Sequence, residues 1–356
     1  MRVVVIGASG NVGTSLLGAL AEDPQVHEVV GVARRAPDGD WPKTEWATAD
    51  VRTTDLVPIF RGADAVVHLG WLIQPSRDRE TTRGVNVDGS ARVFRAVADA
   101  GVPSLVYASS VGAYSPGPKD RGVDESWPTE GVPTSFYSRD KAQTERQLDR
   151  FEAEHPDVRV VRLRPGLIFK REAASEIRRY FAGPFLPSPL MRRRLIPVVP
   201  RVPRLRFQAV HSDDVAQAYR LAITDDARGA FNVAAEPVLD PEALARLLDA
   251  RIVPVPAAAL RAAAAITWRL RLQPTPPGWL DMALAVPIMD TTRAREELGW
   301  APQRTSGQAL LDLLDGLRDD AGIPTPPLDP GAGGPLRSRE VMTGVGAKGS
   351  PPNVPE

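Results

Sequence analysis

The chain alternates short apolar runs with longer stretches in which apolar side chains recur every three or four positions. Residues 2–6 (RVVVI) form the first β-branched run, and similar runs follow at 27–35, 63–70, 104–110 and 158–169. Such runs predict buried strands, and the helical periodicity at about 12–22, 85–101 and 137–154 predicts helices between them. Strands that alternate with helices predict an α/β fold with a doubly wound parallel sheet.

The pattern changes at residue 170. The stretch 170–207 is rich in Arg and Pro and shows little periodicity. Strand and helix patterns then return at 207–211, 212–223, 229–235, 240–251, 256–270 and 291–300. We therefore predict a nucleotide-binding domain over 1–169, to which 207–235 return, and a smaller C-terminal substrate-binding lobe over most of 170–320. Residues 321–356 are dense in Pro, Gly and Ser, which predicts a disordered tail.

Composition narrows the class of protein. The chain has no cysteine, which excludes disulfides and thiol nucleophiles, and its four histidines lack the spacing of metal ligands. Lys plus Arg and Asp plus Glu are equal, at 44 each, so net charge does not indicate a nucleic-acid or membrane-surface binder. The start MRVVVIGASG does not read as a signal peptide, and apolar runs are too short for a membrane span. We expect a cytoplasmic protein without a metal.

The loop after the first strand has the spacing G-x-x-G-x-x-G. Glycines here permit a tight turn and a close approach of the backbone to a pyrophosphate, which then rests on the N-terminus of the following helix. The loop predicts a Rossmann-type NAD(P) site, and its expected cofactor contacts are Gly7, Ser9, Gly10, Asn11, Val12 and Gly13.

The end of the second strand bears on the choice of cofactor. NAD-binding proteins usually place Asp or Glu there, but this chain has Arg34 and Arg35, which suit a 2′-phosphate. We favour NADP and keep NAD as possible; alternatively, both arginines are solvated charges. Asp50 and Val51 follow the next apolar stretch and are expected at the adenine, although Asp50 fits a plain loop as well.

Several motifs in order resemble the extended short-chain dehydrogenase/reductases, also called the NAD-dependent epimerase/dehydratase family, over about residues 1–315. Tyr137 and Lys141 match its Tyr-x-x-x-Lys pair, and Asn86 matches the asparagine of its fourth helix. The other similar motifs are GASGNVG, VVHLG, YASSVGAY, LRPGLIF, HSDDVAQAY and EELGWAP.

The resemblance implies roles for these residues. Tyr137 would be the acid/base, and Lys141 would lower the pKa of Tyr137 and hold the nicotinamide ribose. Ser110, rather than its neighbour Ser109, would bond the substrate oxygen, since successive strand side chains face opposite ways. Asn86 would support the lysine or relay protons, or it is only a polar residue that bends the helix. The remaining implied cofactor contacts are Leu69, Gly70, Arg164 and Pro165.

The Asp213–Asp214 pair is interpreted as a structural helix start rather than a metal site. Val111 and Gly112 replace the Asp-Glu pair of the family's dehydratases, which argues against water elimination. Phe207 stands where many nucleotide-sugar enzymes have Arg, which weakens the case for a diphosphate clamp.

Three features leave alternatives open. Trp71 either lines a pocket for an apolar or ring-shaped ligand or is a core aromatic. The Arg-rich stretch 191–206 either binds phosphate or is a solvated face. The amphipathic segment 258–272 fits a helix packed on the lobe better than a membrane contact.

The leading functional hypothesis is an NADP-preferring reductase or dehydrogenase of a secondary alcohol or ketone. Alternatives are a nucleotide-sugar epimerase with retained NAD and a non-catalytic NADP-sensing protein. The expected partner is a small-molecule substrate, and a homodimer is implied by the resemblance.

Overall fold

A seven-stranded parallel sheet forms the centre of the computed structural model, which describes residues 1–185 and 196–347. Its strands are β1 (Arg2–Ile6), β2 (Glu28–Ala33), β3 (Thr44–Thr48), β4 (Ala65–His68), β5 (Ser104–Ala108), β7 (Arg159–Pro165) and β11 (Gly229–Val233). They lie in the order β11-β7-β5-β4-β1-β2-β3, which confirms the predicted doubly wound α/β fold.

Helices cover both faces of this sheet. They are α1 (Asn11–Glu22), α2 (Val57–Phe60), α3 (Arg79–Arg83), α4 (Ser90–Asp99), α5 (Phe136–Glu154) and α7 (Ser212–Thr224), and a π-helical turn (Gly84–Gly89) joins α3 to α4. Alternate residues of β1 serve the two cores. Val3 and Val5 pack with α1 and α7, whereas Val4 and Ile6 pack with α4 and α5.

The remaining elements form the lobe and its connections. Short parallel pairs join β6 (Gly122–Val123) to β13 (Ile288–Met289), β8 (Leu167–Phe169) to β10 (Ala209–His211), and β9 (Val198–Arg201) to β12 (Arg251–Pro254). The helices are α6 (Ala174–Ile177), α8 (Pro241–Leu248), α9 (Ala257–Arg269), α10 (Gly278–Ala285), α11 (Thr292–Glu297), α12 (Ser306–Arg318) and α13 (Ser338–Met342). A separate apolar cluster, which includes Val199, Leu248 and Leu313, forms the core of the lobe.

Two boundaries differ from the sequence prediction. The run 158–169 is not one strand, because Gly166 leaves β7 and β8 follows as a partner of β10 in another sheet. A Cβ at Gly166 would lie 2.6 Å from the carbonyl oxygen of Gln208, so this crossing requires glycine. The edge strand β3 carries the short pattern TEWAT, which did not stand out as a strand.

The tail is ordered where it is described, which corrects the expectation of disorder for 321–347. Leu328 is fully buried, and Glu340 of α13 pairs with the buried Arg178 at 2.7 Å. The backbone N–H of Arg77 donates to the carbonyl of Gly346 at 2.8 Å. Composition underestimated this segment because its contacts are backbone bonds, ion pairs and a few apolar anchors rather than a periodic apolar face. Residues 348–356 lie outside the described residues.

No helix in the described ranges is long and apolar enough to cross a membrane. Residues 191–195 of the Arg-rich stretch 191–206 lie outside the described residues.

Candidate functional site

The site is built where β1 and β4 lie side by side. The chain runs outward from β1 to β3 on one side and from β4 to β11 on the other, so this is the point at which the strand order reverses. In doubly wound sheets, ligands bind outside the carboxyl ends of the strands at this point. Leu69 and Gly70 follow β4 there, and the N–H of Leu69 donates to the carbonyl of Ile6 at 2.9 Å.

The glycine loop is tightly packed in a way that only small residues allow. Gly7 has φ +82° and lies against the backbone of Leu69 and Gly70, each of which would be 3.0 Å from an added Cβ. A Cβ at Gly13 would lie 2.3 Å from the carbonyl oxygen of Gly7. The loop therefore brings the start of α1 directly against the end of β1, as the dinucleotide motif requires.

The N-terminus of α1 fits an anion. Gly10 is its N-cap and supplies no side-chain hydrogen bond, so backbone N–H groups of the first turn are left for a ligand. Asn11, the first residue of α1, donates from its side-chain amide to the carbonyl of Ile168 at 3.5 Å. Ser9 is buried and Val12 is half-buried beside them. These features match a bound pyrophosphate.

The far end of the cleft carries the two arginines. Arg34 and Arg35 are both exposed just beyond β2, and neither makes a hydrogen bond or salt bridge with a residue in the described ranges. The Asp50 carboxylate binds Arg52 at 2.7 Å, and the expected contact of Asp50 with the adenine stays a prediction. Hydrogen bonds from Arg52 lower the pKa of Asp50, and the charge of Arg34 adds to this effect. Val51 is buried nearby.

Tyr137 lies in the first turn of α5, and local packing fixes its place. Ser135 caps the helix by accepting the N–H of Ser138, and the hydroxyl of Ser138 donates to the carbonyl of Gly112. The Tyr137 ring then lies so close to Gly112 that an added Cβ would be 2.8 Å from its Cε1 atom. Glycine at 112 is therefore required for this position of the ring.

The two serines after β5 have different partners. Ser109 donates to the buried carboxylate of Glu145. Ser110 lies on the other side, where its Oγ accepts the N–H of Gly112 at 3.0 Å and its hydroxyl is close enough to Tyr137 to lower the pKa of that phenol. The structure thus brings together Ser110 and Tyr137, the pair expected from the sequence.

The electrostatics of Tyr137 differ from the expectation. Burial raises its pKa to about 12, and the hydrogen bond with Ser110 opposes this shift. Lys141 does not lower it as expected, because burial also lowers the pKa of Lys141 well below its usual range, against the charges of Glu145 and Asp140. The Lys141 Nζ donates to the carbonyl of Ala108 at 2.6 Å.

Trp71 and Trp279 flank the tyrosine. The Trp71 ring lies 5.8 Å from the Tyr137 ring and covers the Lys141 ammonium at 3.5 Å, both measured to ring centroids. The Trp279 ring lies 4.8 Å from Tyr137 with an interplanar angle of 36°. Trp71 is therefore at the site rather than a remote core residue.

Asn86 and Arg164 are engaged elsewhere. The Asn86 side chain donates to the Leu72 carbonyl at 2.8 Å and accepts the Leu72 N–H at 2.7 Å, so it positions the loop after β4. Arg164 donates to both carboxylate oxygens of Glu145, at 2.9 and 3.0 Å. It is buried and used as a structural residue beneath α5, which differs from the expected cofactor contact. Pro165 is buried at the end of β7.

The Asp-Asp pair has structural partners. Asp214 is buried and accepts the N–H groups of Gln303 and Arg304 at 3.0 and 3.1 Å, so it joins α7 to the segment before α12. Asp213 accepts the Ser15 hydroxyl at 2.8 Å.

Two residues at the site were missed by the sequence reasoning. Trp279 lies more than 130 positions after the tyrosine it covers, in a segment without a readable motif. Lys170 is buried, and its ammonium donates to Thr14 at 2.7 Å and Ser15 at 3.2 Å near the start of α1. Its position directly after the LRPGLIF motif is the sequence feature that could have identified Lys170.

The fold and the loop define the class of NAD(P)-binding Rossmann proteins. A profile of the NAD dependent epimerase/dehydratase family matches residues 3–234, and the chain belongs to this family.

Relatives and solved structures are similar to this chain over different lengths. An uncharacterized protein of Mycobacterium tuberculosis (strain ATCC 25618 / H37Rv) is 28% identical over 327 residues, which are 91% of this chain and 31% of that protein. The chain thus spans about a third of that relative. The L-arabinose 1-dehydrogenase (NAD(P)(+)) of Haloferax volcanii is 36% identical over 110 residues, 31% of this chain and 41% of that enzyme.

The fold is also that of solved enzymes. The UDP-glucose 4-epimerase of Thermus thermophilus in complex with NAD aligns with a TM-score of 0.64 and 20% identity, covering 89% of this chain and 99% of the epimerase.

Proposed function

We propose that this protein is an NADP-preferring oxidoreductase that interconverts a secondary alcohol and a ketone. The observation that carries the proposal is the position of the Ser110 hydroxyl beside the Tyr137 phenol, close enough to lower its pKa, with Lys141 one helical turn further on. The bound nicotinamide would supply or accept the hydride. A small-molecule substrate, a cytoplasmic location and a homodimer remain predictions that go with this proposal.

The protein groups have separate tasks in this mechanism. Ser110 would hydrogen-bond the substrate oxygen and hold it next to Tyr137. During reduction, hydride adds to the carbonyl carbon and Tyr137 gives its proton to the oxygen, which yields the alcohol. During oxidation, the same proton returns to Tyr137 as hydride leaves the carbon. Lys141, which is buried beneath Trp71, would hold the nicotinamide ribose.

The cofactor contacts follow the cleft from α1 to the end of β2. The open first turn of α1 and the Gly7–Gly13 loop would hold the pyrophosphate. Arg34 and Arg35 support a preference for the 2′-phosphate, because both guanidiniums are exposed at the strand end and lack carboxylate partners in the described ranges.

The test of catalysis is Tyr137→Phe. It removes the proton donor but keeps the ring that packs on Gly112, so we expect kcat to fall by about 10²–10⁴-fold with cofactor affinity retained. Turnover should be measured as NADPH consumption with ketones or as NADPH formation with alcohols. Unchanged kcat would refute the role of Tyr137.

The test of cofactor preference is the Arg34→Ala/Arg35→Ala double variant. Loss of charge-assisted bonds to a phosphate should weaken NADPH binding by about tenfold or more and leave NADH binding nearly unchanged. Arg95→Ala, an exposed arginine on α4, controls for the change in net charge. Equal weakening for both cofactors would contradict the NADP preference, and NAD retained through purification would favour an epimerase.

A further inference from the structure

The ring of Tyr137 sits in an enclosure of aromatic side chains. We call Trp71, Phe136, Phe181 and Trp279 the aromatic enclosure. Trp279 is its centre: its ring lies 4.8 Å from Tyr137, 5.0 Å from Phe181 and 6.3 Å from Phe136 between centroids. Trp71 closes the other side of Tyr137 at 5.8 Å, edge-on. Such a shell favours flat apolar groups, which stack on or pack edge-on against rings.

The side chains between these rings are apolar as well. Val132, Met282 and Val286 are buried in one cluster together with the Tyr137 and Trp279 rings. Among the described residues, Ser110 and the Lys141 ammonium under Trp71 approach the tyrosine, and Tyr107 and Tyr219 are close enough to interact with it electrostatically. A ligand beside Tyr137 would therefore bury mainly apolar surface, with its oxygen at Ser110.

Two arginines next to the enclosure are already paired with carboxylates in the described ranges, whereas Arg179 donates to the backbone carbonyls of Asp329 and Pro327. Arg79 stacks on Phe136 at 4.0 Å from the ring centroid, but its guanidinium also binds Asp140 at 2.6 Å. Arg178, three residues before Phe181, is buried and binds Glu340 at 2.7 Å. A sugar nucleotide brings a diphosphate that needs cationic partners, and these two charges are already neutralised.

The backbone under Trp279 is held in place, so its side chain is a fixed wall. Helix α10 begins at Gly278, where an added Cβ would lie 2.3 Å from the carbonyl oxygen of Thr134, just before α5. This contact fixes the start of α10 against the helix that carries Tyr137. The Trp279 indole beside Tyr137 is half-buried, so part of its surface next to the tyrosine stays accessible.

We infer that the substrate is a flat, largely apolar, ring-bearing alcohol or ketone, whose ring packs against Trp279 while its oxygen meets Ser110 and Tyr137. This inference rests on the proposed function, which it deepens by naming the substrate class. Trp279 is then a specificity-determining residue, and the diphosphate-linked sugars of the fold's other enzymes are poor ligands.

Binding tests the substrate class independently of turnover. The probes are 2-naphthol, a fused-ring alcohol, and UDP, each titrated by calorimetry into protein saturated with NADP⁺. We expect 2-naphthol to bind and UDP not to bind. Trp279→Ala should weaken the binding of 2-naphthol by about tenfold, which corresponds to the loss of one good aromatic pair. Trp279→Phe should retain most of the affinity for 2-naphthol. Trp41→Ala, which removes an indole that packs on Trp46, is the matched control and should bind like the native protein.

Three results would overturn the inference: UDP binding without 2-naphthol binding, binding of neither probe, or native affinity for 2-naphthol in Trp279→Ala. The proposed function fails differently. If 2-naphthol binds through Trp279 but NADPH is not consumed with 2-tetralone, the hydride-transfer proposal is wrong while the ligand class stands.

Discussion

Replacing Glu145 by Gln tests how the helix that carries Tyr137 and Lys141 is held on the sheet. Glu145 is fully buried one turn beyond Lys141, and its carboxylate contacts Arg162 at 3.0 Å and Arg164 at 2.9 Å. Burial opposes ionisation, but hydrogen bonding and charge from Arg164, with the charge of Arg162, outweigh it and lower the pKa of Glu145 to about 2.

The magnitude follows from that pKa. A carboxyl that shifts from 4.5 to about 2 on folding stabilises the ionised native state by roughly 3 kcal/mol, at about 1.4 kcal/mol per pKa unit. Because the folded pKa is lowered, this contribution is complete above pH 4.5 and is lost as the pH falls toward 2. Gln at this position also leaves the buried Arg164 guanidinium without its counter-charge, whereas Arg162 keeps Asp149 and Glu152. We therefore expect Glu145→Gln to lower the free energy of unfolding by about 3–5 kcal/mol at pH 7.

Urea unfolding followed by circular dichroism from pH 7 down to pH 3 measures this effect. Asp149→Asn is the matched control, since Asp149 lies on the same helix and binds the same Arg162 at 2.6 Å, but its side chain is 62% exposed. Its loss should stay below about 1 kcal/mol. The difference between native protein and Glu145→Gln should shrink below pH 4.5. Equal losses for the two variants, or a difference that does not change with pH, would refute the reasoning.

Gly13→Ala should weaken NADPH binding at least about tenfold, because the added Cβ would lie 2.3 Å from the Gly7 carbonyl oxygen. The control Gly18→Ala, on the same helix, should leave NADPH binding unchanged, because nothing lies within 4 Å of its added Cβ. Cofactor fluorescence measures the affinity of both variants. Arg164→Met should lower the free energy of unfolding by about 3–5 kcal/mol, because Arg164 is the buried partner of Glu145. The same variant should change the NADPH dissociation constant less than about threefold. A large loss of NADPH affinity in a folded variant would contradict this structural role. In the ligand-free protein, the phenolate absorbance that Tyr137→Phe removes should develop near pH 12; a transition near pH 8 would show that the charge of Lys141 dominates over burial.

The sheet was predictable because its strands are short, β-branched and separated by periodic helices. Val3 to Ile6 are apolar at every position since both faces of β1 are covered, and this continuous run is itself the signature of a buried parallel strand. The edge strand β3 has the sequence TEWAT, which lacks such a continuous apolar run. The order of the strands was not predicted, because no single run of residues carries it.

The candidate site was predictable where spacing along one element decides it. Tyr137 and Lys141 are four apart on α5, and Ser109 and Ser110 are neighbours on a strand end that must face opposite ways. The assignment of Arg164 differed because strand sequence does not tell which charge meets it: Glu145 lies on α5, nineteen residues earlier. Contacts between distant segments, such as Trp279 on Tyr137, leave no periodic trace in either segment.

Local spacing also predicted the wrong direction for the pKa of Tyr137. A lysine four residues away was expected to make the phenol more acidic, but the aromatic neighbours that bury Tyr137 bury Lys141 too. Burial penalises both charged forms, so the pKa of the tyrosine rises while that of the lysine falls. A phenol with a pKa of about 12 is protonated at neutral pH, and a protonated phenol is the form that gives a proton to a carbonyl oxygen as hydride arrives at carbon. In the proposed reaction, this protonated phenol would donate to the substrate oxygen during ketone reduction, and alcohol oxidation would require that substrate and cofactor first bring the phenolate within reach.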